Sequence, residues 1–419
     1  MCAAAHKRGD YMEFLKDRRK INSVIFMLSA IYMVSYLTRN NYSTVISTII
    51  TAEGFTKEVA SYAVTASLIT YGAGQLLSGF FGDRIQPRIL IIAGLITSSA
   101  MNLMLPFSGS PYLNAALWAV NGLAQAFMWP PMVKLMTAVF DPETYSSACV
   151  KVSYGSAAGT LLLYLCCPLI IRLAGWKYCF FISAASGIIM AVITYCFCPK
   201  IDMNRKAVKQ IAEAEKKGAD SIRLPKILIL ITGIIMIGII LQGSLRDGVT
   251  TWMPTFIKET FSLGDEISIL SGVFLPIFSM LSYSLTLFIH KKLIKNELLC
   301  AGAIFTLCAM VSAILGFVYD KSPIISVPLI AVIVACMHGA NLILVCMVPA
   351  KYNKYGNVSF ISGLLNSCTY IGSAISTYAI AVYSDNFGWR ATVFLWVGIA
   401  ALGAAICAIV SRPWKKTTD

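Results

Sequence analysis

The sequence predicts an all-α polytopic membrane protein with twelve transmembrane helices, arranged as two pseudo-symmetric six-helix halves. Of its 419 residues, 57% are hydrophobic and only 13% are charged, and its mean hydropathy is +0.72. Soluble proteins carry about 25% charged residues, so this composition places the chain in a membrane. Twelve apolar segments give the helix count, and motifs that recur 207 and 213 residues apart indicate a duplication.

The apolar segments are each long enough to cross a bilayer, which takes roughly 20 residues. They predict helices at 21–50, 57–82, 88–106, 111–138, 144–171, 177–199, 226–257, 264–290, 296–318, 324–349, 357–384 and 389–411. One long polar interruption, rich in Lys, Glu and Ala, separates the sixth helix from the seventh. The predicted organisation is therefore a segment 1–20, a first half 21–199, a linker 200–225, a second half 226–411 and a tail 412–419.

The distribution of basic residues predicts the orientation of the helices. The net charge is +14, and with both termini in the cytoplasm 24 of the 34 Lys and Arg residues lie on the cytoplasmic side and six on the other. This bias follows the positive-inside rule. The excess charge therefore reflects membrane topology, and the predicted partner is the lipid bilayer of the cell (inner or cytoplasmic) membrane, with no nucleic acid.

The sequence predicts no cofactor, metal or catalytic activity. Most of the 13 cysteines stand inside apolar segments without metal-ligand spacing or a paired framework, where they act as small hydrophobic residues. No phosphate-loop glycine pattern implies ATP. An intramembrane enzyme is disfavoured because no nucleophile, base and metal ligands cluster in the sequence.

Two arginines inside apolar segments are the first candidate site residues. Arg39 follows Lys20 by 19 residues, and Arg246 follows Lys226 by 20. The duplication is also visible in three-residue and longer motifs, which are Gly175-Trp176-Lys177 with Gly388-Trp389-Arg390, and Tyr154-Gly155-Ser156-Ala157 with Tyr370-Ile371-Gly372-Ser373-Ala374. Transporters built from parallel six-helix repeats bind their substrate at the repeat interface. Both arginines are thus predicted to face a shared central cavity at the same depth.

An arginine at the bilayer centre costs between about 3 and more than 10 kcal/mol, so it needs a watery cavity or a partner. Two converging guanidinium groups would bind an oxyanion such as phosphate bidentately. The alternative is structural pairing with a carboxylate or with helix-end carbonyls. No intramembrane carboxylate is near Arg39 in sequence. Asp247 is adjacent to Arg246, but neighbours on a helix point about 100° apart, so we expect Arg246 to stay unpaired.

Other polar residues in the apolar segments are candidates of lower specificity. His338 is expected to be a packed hydrogen-bonding residue, with a proton relay as the alternative. Tyr36, Tyr71, Gln125 and Tyr370 could hydrogen-bond an organic moiety, or could serve helix packing. Asp and Glu are scarce inside the helices, and this favours anion exchange over proton symport.

The loop after the second helix carries a recognisable motif. Gly79, Asp83, Arg84 and Arg88 have the spacing G-x-x-x-D-R-x-x-x-R, which resembles the helix 2–3 loop of the major facilitator superfamily. We expect the glycine to allow close helix packing and the charged residues to latch neighbouring helix ends.

Longer strings resemble the organophosphate:phosphate antiporter family, which includes glycerol-3-phosphate and hexose-phosphate transporters. They are Tyr36-Leu37-Thr38-Arg39-Asn40-Asn41-Tyr42, Asn121-Gly122-Leu123-Ala124-Gln125 with Trp129-Pro130-Pro131 and Lys134, and Leu245-Arg246-Asp247-Gly248 with Trp252-Met253-Pro254-Thr255-Phe256-Ile257-Lys258-Glu259. The resemblance covers almost the whole chain. It implies a twelve-helix major facilitator fold with Arg39 and Arg246 as phosphate ligands.

The chain departs from the family pattern at several site positions. Asn40 and Gln75 stand where the family commonly has lysine, Ser156 where it has histidine, and His338 where it has tyrosine. These changes lower the positive charge expected at the site. Lys151, in the fifth helix, either restores part of that charge or extends to the cytoplasmic surface.

The predicted function is a monomeric secondary transporter that exchanges organic anions, such as sugar or glycerol phosphates, for inorganic phosphate by alternating access. Its partners are then a small anionic substrate and a counter-anion. The alternative is a transporter-like membrane sensor that binds a phosphorylated metabolite, since the family includes a hexose-phosphate receptor.

Overall fold

A computed structural model describes residues 17–82, 85–140, 142–198, 225–355 and 358–418. Most of the predicted cytoplasmic segment 1–20 and of the linker 200–225 lies outside these residues. The side on which the first helix begins is called the near side below, and the side on which it ends is called the far side. The sequence predicts that the near side is cytoplasmic.

The first half consists of six helices, two of which are irregular. They are α1 (Arg18–Glu53), α2 (Lys57–Gly82), α3 (Pro87–Met104, extended by a 3₁₀ turn Leu105–Phe107), α4 in two parts (Pro111–Ala126 and Trp129–Val139), α5 (Pro142–Ala174) and α6 (Lys177–Phe197). The second half repeats this order with α7 (Lys226–Phe261), α8 in two parts (Asp265–Ser271 and Phe274–Lys292), α9 (Glu297–Val318), α10 (Pro323–Asn341, then π-helical Leu342–Met347 and 3₁₀ Val348–Tyr355), α11 (358–387) and α12 (389–418).

The predicted fold class is confirmed. The described segments form twelve successive helical units, and nine helices within them are long and apolar enough to cross a membrane. The prediction of continuous fourth, eighth and tenth helices is wrong in detail. In α4 the break precedes Pro130 and Pro131, which have no backbone N–H to continue the upstream helix and so occupy the first turn of a new one.

Two glycines form equivalent corners in the two halves. Gly175, between α5 and α6, has φ +97°, and Gly388, between α11 and α12, has φ +77°. Residues with a Cβ rarely adopt this left-handed region, so glycine is required where the chain reverses. The two Gly-Trp motifs seen in the sequence therefore mark one repeated corner.

Helix pairs α1–α5 and α7–α11 approach through glycines at matched depth. A Cβ added to Gly159 would collide with the carbonyl of Met33, and one added to Gly372 would collide with the carbonyl of Ile240. Each carbonyl belongs to the residue six positions before the arginine of its half. Gly372 is therefore equivalent in depth to Gly159. The motif comparison in the sequence pairs Gly372 with Gly155 instead, which lies one helical turn before Gly159.

The buried apolar core joins the halves on the far side. One cluster contains Tyr42, Trp118 and Phe180 from the first half together with Trp252 and Trp396 from the second. The near-side residues of the first half form a separate cluster, built on Leu28, Leu95, Met132, Phe140 and Val152. The two halves thus share a core toward the far side, whereas the near-side core of the first half is its own.

Candidate functional site

Arg39 and Arg246 converge at the same level of the bundle. Arg39 is residue 22 of the 36 in α1, and Arg246 is residue 21 of the 36 in α7. The ring of Tyr370, on α11, lies near both, with its centroid 5.6 Å from Cζ of Arg39 and 5.8 Å from Cζ of Arg246. The two guanidinium carbons are therefore no farther apart than the sum of these distances.

Aromatic rings surround the Arg39 guanidinium. Its Cζ lies 3.9 Å from the ring centroid of Tyr71 and 5.7 Å from that of Tyr36, and the rings of Tyr71 and Tyr370 meet edge to face at 4.6 Å. Cation–π contacts stabilise the charge but leave the N–H groups free. Among the residues that the structure describes, none accepts a hydrogen bond from Arg39, so its donors are available to a ligand.

The expectation that Arg246 stays unpaired is wrong. Its Nε donates to Oδ1 of Asp247 and one Nη donates to Oδ2, both at 2.7 Å. The flexible arginine chain folds across the angle between the two helical positions. A third residue fixes the carboxylate, since the Ser373 hydroxyl on α11 donates to Oδ2 of Asp247 at 2.6 Å. Arg246 thus has an ion-pair partner, whereas Arg39 makes no direct ion pair with any residue that the structure describes.

Three further predicted residues lie around this cluster. His338 on α10 is bonded through Nδ1 to the hydroxyl of Tyr283, at 3.0 Å, as expected for a packed hydrogen-bonding residue. Gln75 lies one helical turn from Tyr71, and its buried Nε2 donates to no residue in the described parts of the chain. Asn40 is half-buried next to Arg39.

Of the two alternatives for Gln125, helix packing is the one observed, because its amide is buried in a hydrogen-bond network next to Arg39. Gln125 Nε2 donates to the hydroxyls of Thr38 and Ser98, both at 2.8 Å. The amides of Asn121 and Asn102 donate to the carbonyl of Thr38, at 3.1 and 2.9 Å. These bonds fix α1 against α3 and α4 next to the arginine.

Lys151 lies too near the near side to act on a ligand at Arg39. Its carbonyl accepts from the hydroxyl of Ser29, ten residues before Arg39 on α1, or about 15 Å along the axis. Its exposed side chain lines a groove with Arg18 and Asn22. Of the two alternatives for Lys151, the surface position is the one observed.

The loop motif is described only in part. Asp83 and Arg84 lie outside the described residues, and Gly79 is described only as part of α2. Arg88 donates from Nη1 to the carbonyl of Tyr195, at 3.2 Å, and its Cζ lies 5.4 Å from the ring centroid of that residue. Arg88 therefore links the start of α3 to the end of α6, as expected for a latch between helix ends.

Charged residues connect the halves on the far side of the arginines. Lys57 on α2 contacts Glu259 on α7 at 2.7 Å and Asp385 on α11 at 2.9 Å, and its ammonium lies 4.9 Å from the ring centroid of Trp389. The indole of Trp389 in turn donates to Glu259, at 2.7 Å. We call Lys57, Glu259 and Asp385 the far-side ion triad.

Sequence reasoning missed both this triad and the role of Ser373. The triad residues lie at helix ends, where charges are ordinary, and only the fold brings them together. A signal did exist for the buried network, because Asn102, Asn121 and Gln125 are amides inside apolar segments. Such residues commonly hydrogen-bond between membrane helices.

Curated relatives share part of their length with this chain. A "Probable hexose phosphate transport protein" of Chlamydia muridarum is 28% identical over 162 residues, which cover 39% of this chain and 36% of that protein. A "Membrane sensor protein UhpC" of Salmonella typhimurium is 31% identical over 110 residues, covering 26% and 25%. These matched stretches thus span about a third or less of the relatives' own length. They support the resemblance to organophosphate:phosphate antiporters seen in the sequence.

Solved structures share the whole fold. A bacterial homologue of the human lysosomal transporter Spinster superposes with a TM-score of 0.77 at 14% identity, over 95% of this chain and 98% of that one. The family model of the Major Facilitator Superfamily matches residues 28–377. With twelve helices in two repeats and a family match over most of its length, the chain belongs to the Major Facilitator Superfamily.

Proposed function

We propose that the protein is a secondary active transporter that exchanges phosphorylated metabolites for inorganic phosphate, with its near side in the cytoplasm. One observation carries the proposal, namely that the two halves each place an arginine at matched depth around the ring of Tyr370. Guanidinium groups recognise phosphate oxygens through paired donors. The relatives named for hexose phosphate transport are compatible with this ligand class.

Alternating access follows from the same geometry. The far-side ion triad and the shared far-side core keep the halves together above the site. An anion bound between the arginines would contact α1 and α7 at once, and so would compensate Arg39 while the halves rock about the site. Without an anion, Arg39, which makes no ion pair with a described residue, disfavours the closed intermediate, because burial of an unpaired charge is costly. Exchange is therefore favoured over uniport.

The test is counterflow in proteoliposomes preloaded with inorganic phosphate, using glucose 6-phosphate and glycerol 3-phosphate outside. Arg39→Lys and Arg246→Lys are each expected to lower exchange at least about 100-fold, because an ammonium cannot replace a bidentate fork. The matched control is Arg390→Lys, the same substitution at an exposed far-side position, which should keep wild-type exchange. Normal exchange by either site variant would refute the proposal.

A sensor is the second candidate, favoured by the relative that is named a membrane sensor. A sensor would keep the arginines and bind phosphorylated metabolites. It would show binding in nanodiscs that Arg39→Lys abolishes, yet no counterflow by the wild-type protein. The same preparation therefore separates the two functions.

A further inference from the structure

The arginine cluster carries less positive charge than its two guanidinium groups suggest. Asp247 is bonded to Arg246, and its carboxylate also interacts electrostatically with Arg39. The other titratable side chains around the cluster are tyrosines and one histidine, namely Tyr36 on α1, Tyr71 on α2, Tyr283 on α8, His338 on α10 and Tyr370 on α11. One carboxylate offsets only one of the two guanidinium charges, so the charged side chains that the structure describes leave the cluster with one net positive charge.

Three hydrogen bonds hold the Asp247 carboxylate in place. Its two oxygens take both donors on one edge of Arg246, at 2.7 Å each, and the Ser373 hydroxyl of α11 holds the same carboxylate at 2.6 Å. The carboxylate is 24% exposed and the arginine side chain 11%. A ligand therefore meets the Arg246–Asp247 pair from the side, through the remaining donors of Arg246 and the free donors of Arg39.

We propose that this site, if it binds organic phosphates as proposed above, selects their singly charged form, and that Asp247 is the residue that sets this limit. A monoanion brings the cluster to zero net charge. A dianion leaves one negative charge uncompensated beside the Asp247 carboxylate, where the low dielectric makes an unpaired charge costly.

Two esters of the same sugar separate charge from shape. The second ionisation of a phosphate monoester occurs near pH 6, so glucose 6-phosphate changes from monoanion to dianion between pH 5.5 and 7.5. Glucose 6-sulfate keeps a single charge over the whole range. It also reports any titration of the protein itself, because that would alter the binding of both esters.

The experiment is calorimetric binding of each ester to the full chain in nanodiscs. The wild-type protein should bind the sulfate ester equally at both pH values, and the phosphate ester roughly 20-fold more weakly at pH 7.5 than at 5.5, following its monoanion fraction. Tighter binding of the phosphate ester at the higher pH would overturn the inference. This result needs no variant to fold.

Asp247→Asn should accept the dianion, since the cluster then carries two net positive charges. At pH 7.5 its preference for the phosphate over the sulfate ester is expected to rise by about tenfold or more. Asp320→Asn is the matched control, because it is the same substitution at an exposed position between α9 and α10, and it should keep the wild-type preference. An unchanged preference in a folded Asp247→Asn protein would overturn the inference.

The outcomes for the two proposals differ. Failure of both esters to bind wild-type protein would overturn the phosphate-exchange function and this inference with it. Binding and exchange of both esters, with the dianion preferred, would leave the exchange function intact and overturn only the role of Asp247.

Discussion

Replacement of Lys57 by methionine should open the far side of the protein. The ammonium of Lys57 is the only cation that the structure shows between Glu259 and Asp385, and its side chain is only 10% exposed. Methionine keeps an apolar chain of similar length, so the substitution removes the charge with little loss of packing. The two carboxylates would then repel each other and lose their link to α2.

The free energy lost on this substitution can be estimated from the exposure of Lys57 and of its two carboxylate partners. Removal of one partner from a buried pair costs about 3–5 kcal/mol, whereas fully exposed pairs contribute about 0.2–1 kcal/mol each. The lysine is buried but both carboxylates are 37% exposed, which places the loss at about 2 kcal/mol for the two contacts. The equilibrium between the far-side-closed and far-side-open states should therefore shift about 30-fold.

The assay is double electron–electron resonance between spin labels at Ser110→Cys and Lys321→Cys, in a background without the native cysteines. These residues lie in far-side loops of opposite halves, before α4 and before α10. Lys57→Met should increase the population with the longer distance. The control is Lys177→Met on the same side, where the lysine contacts the Trp176 ring of its own half, 5.6 Å away. Identical distance distributions for the variant and the control would refute the reasoning.

Two further predictions concern stability. Asn102→Ala removes donors to the α1 backbone and should lower the free energy of unfolding by about 1–3 kcal/mol, measured as a thermal shift, whereas Asn386→Ala, whose exposed amide bonds within its own helix, should have little effect. Gly372→Ala places a Cβ against the α7 backbone, at a cost of about 1–3 kcal/mol, and should reduce the monodisperse fraction of the protein on size exclusion. The control is Gly398→Ala, whose added Cβ meets no atom within 4 Å and should leave that fraction unchanged. Equal behaviour of the two glycine variants would refute the close-packing account.

The fold and the convergence of the two candidate arginines were predictable because they depend on pattern and repetition. Hydropathy alone locates the helices, since each must be apolar over a bilayer thickness. The duplication then places Arg39 and Arg246 at one depth, and the structure brings them to the same ring. Pro130 and Pro131 also indicate the break in α4. Hydropathy alone does not locate that break, because prolines do not interrupt an apolar segment.

The remaining features depend on side-chain contacts between helices distant in sequence. The pairing of Arg246 with Asp247 is fixed by Ser373, 126 residues away in the chain, and helical angles alone cannot foresee it. The sequence around Gln125 is the same whether its side chain faces a cavity or a neighbouring helix, so only the packing of the helices decides between these two positions. The depth of Lys151 likewise depends on how α5 lies against α1.

Tyr370 contacts both the arginine cluster and the helix α2. Its ring contacts both arginines of the proposed anion site, and its Cβ lies so close to α2 that a Cβ added to Gly72 would come within 3.2 Å of it. The interface between α2 and α11, and so between the two repeats, therefore includes a residue of the proposed site. If the protein is the exchanger proposed above, a ligand large enough to displace this ring must also separate α2 from α11, so the size of the ligand would affect the rate of exchange.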